Sequence, residues 1–117
     1  MSANPIVHVE IAGKEGDKLE SFYGALFDWS IERDNIGGYP YGRINFGGEG
    51  KLTGGVRHEP EGHAELVIYV QVDDLNAAFV KAQELGATVR IPPMETPEVT
   101  FALVADPEGN PVGLVQK

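Results

Sequence analysis

Val7-His8-Val9-Glu10-Ile11 is answered 59 residues later by Leu66-Val67-Ile68-Tyr69-Val70, and this correspondence decides the fold. Both stretches carry apolar side chains at every second position, the pattern of a strand buried on one face. The same offset sets Leu26 against Leu85, Glu49 against Glu108, Gly50 against Gly109, Gly54 against Gly113 and Val56 against Val115. No gap is needed, so the chain reads as two copies of one module, about residues 5–58 and 64–117.

Working outward from each strand, a helical spacing follows. Leu19, Phe22, Tyr23, Leu26 and Phe27 form one apolar stripe, and Leu75, Ala78, Phe79, Ala82 and Leu85 the other. Asp17 followed three residues on by Glu20 predicts a capping box, Asp73 or Asp74 an N-cap, and Gly86 a C-terminal stop. Three β-prone stretches come next in each copy, at about 28–34, 39–47 and 52–58, then 87–91, 99–105 and 111–116. Asn35, Gly37, Gly38, Gly47, Gly48 and Gly50 separate the first set, and Asp106-Pro107-Glu108-Gly109-Asn110 is a strong turn in the second. Each module is therefore βαβββ. The run Ile91-Pro92-Pro93-Met94-Glu95-Thr96-Pro97 is expected to be an irregular loop rather than a strand. His58 and His63 lie in a junction turn. Five residues apart with Pro60 and Gly62 between them, they do not match the helical metal-binding pair, whose histidines stand four apart.

The length of 117 residues suits a single domain spanning 1–117. Without cysteine there is no disulfide framework and no thiolate chemistry. A formal charge of −9 opposes nucleic acid and anionic membrane surfaces, and could draw a cationic small molecule. Met1-Ser2-Ala3-Asn4-Pro5 lacks the blocks of a signal peptide, and no apolar run nears the roughly 18 residues that span a bilayer, so a cytoplasmic location is expected.

The opening Val7-His8-Val9-Glu10-Ile11, the helix Phe22-Tyr23-Gly24-Ala25-Leu26-Phe27-Asp28-Trp29 and the ending Asp106-Pro107-Glu108-Gly109-Asn110 together resemble the vicinal oxygen chelate superfamily. Glyoxalase I, extradiol dioxygenases, methylmalonyl-CoA epimerase and bleomycin resistance proteins belong to it. The resemblance covers nearly the whole chain. It implies an α+β fold in which two βαβββ modules form a cupped mixed sheet, often as a homodimer, which is expected here. It also implies divalent-metal ligands on the first and last strands of each module. His8 takes the first of those positions, its repeat mate is Val67, and the last-strand positions fall at Gly113 and Gly54. Three of the four offer no ligating side chain, whereas a divalent metal normally takes three or four protein ligands. No cofactor is therefore expected. A metal held through His8 would require a displaced site with Glu10 and a further carboxylate such as Glu65.

His8 and Glu10 should share one strand face, where the imidazole could act as general base or hydrogen-bond donor and Glu10 could orient it. The plainer reading makes them a residual ligand position satisfied by neighbouring strands. Tyr69, the mate of Glu10, could stack on a ligand, and Arg43, Tyr41 and Phe101 are further ligand-binding candidates, with solvent or rim packing as the alternative. Trp29 reads as core. Three functions fit: metal-independent binding of a small organic molecule, a metal-dependent glyoxalase-type isomerase or epimerase, and a metal-free tailoring enzyme using His8 and Glu10.

Overall fold

A computed structural model describes residues 3–36 and 39–117, so the expected turn glycines Gly37 and Gly38 lie outside the described residues. The chain forms two compact units, His8–Leu66, and Val67–Lys117 together with the leading residues through Val7.

In the first module, β1 (Ile6–Gly13) leads into α1 (Gly16–Phe27), then β2 (Ser30–Ile36), β3 (Tyr39–Asn45) and β4 (Thr53–His58). The strands lie in the order β2-β3-β4-β1, with β1 and β4 parallel and the other pairs antiparallel. Period-two alternation divides the side chains between two faces. Ile11, Ile44 and Val56 are buried beneath Leu19 and Tyr23 of α1, with Trp29, Ile31 and Phe46 packed around them. Trp29 is partly buried and packs against this core, stacked 5.7 Å from Tyr23 and edge-on 4.8 Å from Phe46. The opposite face carries His8, Glu10, Tyr41, Arg43, Thr53 and Arg57, as the strand registers dictate.

The second module repeats the plan with β5 (Glu65–Val72), α2 (Leu75–Glu84), β6 (Thr88–Glu95), β7 (Thr100–Ala105) and β8 (Pro111–Gln116), in the order β5-β8-β7-β6. Its core joins Val72, Leu75, Ala102 and Leu114 under Ala78 and Phe79 of α2. Asp74 caps α2 through the Ala77 N–H. Gly86, at φ 104°, closes the helix in a Schellman motif, the Ala87 N–H reaching the Ala82 carbonyl and the Gly86 N–H that of Gln83. The α+β, twofold βαβββ reading holds. Among the described residues no helix is long and apolar enough to cross a membrane.

Three local expectations are corrected. The capping box is absent, because α1 starts after Glu15 with no side-chain cap and Asp17 turns instead to Arg33. The proline-rich run is largely strand: β6 extends through Pro92 and Pro93 to Glu95. It can, because β6 is the outermost strand of its module, pairs only with β7 and shifts register between Val89 and Ile91 and again between Ile91 and Met94. Prolines are tolerated at such an edge, where a missing N–H breaks no ladder. Finally, the repeat is not gapless. Glu10 stands opposite Gly55 in the first module, and its mate Tyr69 stands opposite Gly113 in the second. Gly113 thus corresponds to Gly55, an offset of 58 on the last strands where the first strands keep 59. Gly54 points the other way, toward the α1 side, where a Cβ would overlap the Phe46 ring.

Candidate functional site

The polar face of the first module is organised by a chain of hydrogen bonds. Thr53 on β4 sits directly opposite His8 on β1, its Oγ1 2.6 Å from His8 Nδ1. His8 Nε2 lies 2.9 Å from the Tyr41 hydroxyl, which donates to Glu10 Oε2 at 2.8 Å. The directions follow from the inventory of protons. Tyr41 has one hydroxyl proton and gives it to Glu10, so His8 donates from Nε2, and with that proton placed a neutral ring presents its Nδ1 lone pair to the Thr53 hydroxyl. Burial pushes the His8 pKa below its ordinary 6.5, Glu10 opposes this, and Arg43 lowers it further.

Beyond Glu10 lies Arg57. Its Nη1 donates to Glu10 Oε1 and its Nη2 to Glu65 Oε2, each at 2.6 Å, and its Nε is 3.0 Å from Glu59 Oε1. Glu10 and Glu65 are almost wholly buried, with side chains 8% and 10% exposed, so the guanidinium between them is what allows two carboxylates to sit there. Arg43 donates from Nε to Asp34 Oδ2 at 2.9 Å across the solvent-facing side of β2 and β3.

Of the candidates read from sequence, His8, Glu10 and Tyr41 are brought together in this network, and Arg43 stands beside them on β3. Tyr69 and Phe101 belong to the second module, Tyr69 across from Gly113 and Phe101 across from Val115. Thr53 and Arg57 were not anticipated.

The donor set does not fit the divalent metal implied by the superfamily resemblance. The last-strand position on this face is Gly55, which supplies no ligand, and both Glu10 oxygens are taken by Tyr41 and Arg57. A cation entering beside His8 would meet the Arg57 guanidinium already paired with Glu10 and Glu65. Gly113, the corresponding position in the second module, is equally without a ligand. The last-strand position read from sequence at Gly54 thus falls at Gly55, which likewise carries no ligating side chain.

A second group of metal-type donors lies on the helix-covered face. Asp17, Glu20 and His58 bring ligand atoms within 4.8 Å of one another. His58 Nε2 is 2.7 Å from Glu20 Oε2, and Arg33 donates to Glu20 Oε1 at 2.8 Å and also contacts Asp17. Again an arginine supplies the counter-charge. Gly16, the first residue of α1, makes room for the imidazole, since a Cβ there would overlap the His58 ring. Helix propensity alone predicts that Gly16→Ala gains roughly 0.5–1 kcal/mol. The overlap instead predicts a net loss of about 1–3 kcal/mol by urea titration, relieved when His58 is also replaced by alanine. A simple gain in the single variant would show that His58 does not occupy this place.

The pH dependence has a definite sign. A histidine whose pKa is lower in the folded than in the unfolded chain stabilises the fold above the unfolded value, and that contribution is lost as pH falls. His8 should therefore make the protein lose stability as pH drops below about 6.5, and His8→Gln should flatten the curve in that window. Carboxylates act lower down. Asp106 is held below its ordinary range first by the Asn110 side chain and then by backbone N–H groups of the turn, so its contribution disappears as pH falls through the carboxylate range, below about 4. Two resolved steps, only the upper one sensitive to His8→Gln, are expected in thermal melts at successive pH values.

Residues 8–115 match the family model described as a glyoxalase-like domain. No curated protein sequence matches the chain. Among solved structures, a hypothetical protein from Bacillus halodurans C-125 is similar at 12% identity, with 99% of this chain and 96% of that chain covered and a TM-score of 0.73. Methylmalonyl-CoA epimerase from Streptomyces coelicolor, in complex with 2-nitronate-propionyl-CoA, is similar at 15% identity over 99% of both chains, with a TM-score of 0.72. Methylmalonyl-CoA epimerase from Mycobacterium tuberculosis follows at 14% identity, covering 95% of this chain and 86% of that one, at a TM-score of 0.63. At such identities the likeness is one of fold.

Proposed function

This chain belongs to the glyoxalase-like domain family, and from that premise we propose that it binds a small organic molecule on the polar face of its first module without a divalent metal. The observation that supports this reading is Arg57: a protein cation occupies both carboxylates that a metal beside His8 would need. The polar groups a ligand would meet on this face are His8, Tyr41, Thr53 and the guanidinium of Arg43, each held in place by hydrogen bonds, together with the ring of Tyr41. Such a set suits a small aromatic or polar metabolite held by stacking and hydrogen bonds.

The test has two arms. Elemental analysis after incubation with zinc, nickel, manganese or iron should give no metal beyond that retained by His8→Ala. A thermal-shift screen of aromatic and polar metabolites, run in chelator, should yield ligands that stabilise the wild type but not Tyr41→Phe or Arg43→Ala. At ~100 times its Kd such a ligand adds about 2.7 kcal/mol. One metal per chain, dependent on His8, would overturn the reading and restore metal-assisted isomerase or epimerase chemistry.

A further inference from the structure

We propose that Thr53 is a nucleophilic hydroxyl and that the first module transfers the acyl group of small activated carboxylic esters onto it. The inference goes beyond ligand binding but rests on the same face being open to small molecules.

Three connected features carry it. Parallel register makes Thr53 and His8 direct neighbours on adjacent strands, and their side chains meet with Oγ1 2.6 Å from Nδ1. The Nε2 proton is committed to Tyr41, which places the imidazole lone pair on the threonine hydroxyl. Tyr41 is in turn held by Glu10, and Glu10 by Arg57. Nucleophile, base and a group that orients the base thus stand in sequence, the arrangement that activates a weak hydroxyl. Thr53 is itself exposed, so a substrate carbonyl can reach it. On β3, Asn45 shares this face by alternation, and its amide, oriented by accepting the Gly47 N–H at 2.9 Å, would serve as the donor to a developing oxyanion.

The chemistry balances within these groups. Thr53 Oγ1 attacks the ester carbonyl carbon while its proton passes to His8 Nδ1. The bond to the leaving alcohol breaks, the alcohol takes that proton, and an acyl ester of Thr53 remains. Water, giving a proton to His8, then releases the acid and restores the hydroxyl. Tyr41 and Glu10 are positioning residues in this scheme.

The experiment uses the full chain with p-nitrophenyl acetate. Expected are a burst of about one p-nitrophenolate per chain and one acetyl group located on Thr53 by peptide mass spectrometry. The near-isosteric Thr53→Val should lower kcat/KM at least ~100-fold, while Thr53→Ser should keep the burst and carry the acetyl group on the new hydroxyl. Circular dichroism confirms that both variants fold. Acetylation confined to lysine or imidazole, or an undiminished rate in Thr53→Val, would overturn the inference. If metabolites stabilise the protein in the thermal-shift screen while Thr53 stays unacylated, acyl transfer fails and the binding reading stands.

Discussion

Arg57→Ala should destabilise the protein by about 3–5 kcal/mol, because it removes the guanidinium that pairs both of the buried carboxylates Glu10 and Glu65. Truncating one partner of a largely buried ion pair removes the attraction but keeps the desolvation of the survivor, which is why the loss exceeds what the pair itself contributes. One guanidinium bridges two buried carboxylates here, and a third, Glu59, approaches it from a more exposed position. Urea denaturation at neutral pH measures the effect. Exchanging Glu10 for Gln in the Arg57→Ala background should recover part of the loss, since a neutral amide tolerates burial better than an unpaired carboxylate. A loss below about 1 kcal/mol would place Arg57 among exposed pairs, which contribute little. It would also weaken the metal-free reading, which depends on the guanidinium being held.

The second large effect concerns the glycines that stand where a metal ligand would be expected. Gly113→Val should cost about 1–3 kcal/mol. A Cβ at Gly113 overlaps the Tyr69 ring near its root, reaching within 2.8 Å of Cγ, where the ring cannot swing aside without leaving its rotamer. At Gly55 the collision is instead with the hydroxyl end of Tyr41. Gly55→Ala should therefore be milder in stability but should pull Tyr41 from both His8 and Glu10. Denaturation curves for the two variants, read beside their ligand-induced thermal shifts, separate these consequences. Equal stability losses, or unchanged ligand response in Gly55→Ala, would show that the tyrosines do not cover the glycines as described.

Much of this was legible from periodicity. Alternation on β1 placed His8 and Glu10 on one face and alternation on β3 set Arg43 on a polar face, whereas Tyr41 was legible only as an aromatic beside a loop. Thr53 and Arg57 escaped because a constant offset of 59 marked Gly54 as the site-facing glycine of β4. A one-residue slip reverses every side chain of a strand, so it turned attention to the face under α1 and away from the two residues that complete the network. The clue lay in the pattern itself, since Val56 continues the apolar face and leaves Thr53, Gly55 and Arg57 for the other. The lost capping box has a different cause. Asp17 and Glu20 had the right spacing, but Arg33 on β2 offers both a charged partner that no local rule can see. The prolines of β6 misled because a sequence does not announce which strand will be outermost.

That outermost position has a consequence for the protein in a crowded solution. A bare strand margin is a template on which other chains can stack into aggregates. Pro92 and Pro93 withhold two amide donors from β6, and its register shifts break the straight row of the rest. On the other module, β2 carries Glu32, Arg33 and Asp34 in succession along its rim. Each module thus presents intruding strands with a margin they cannot zip onto, one blunted by missing donors and the other by charge. Replacing Pro92 and Pro93 would be felt first as a loss of solubility during refolding, before any change in the folded site.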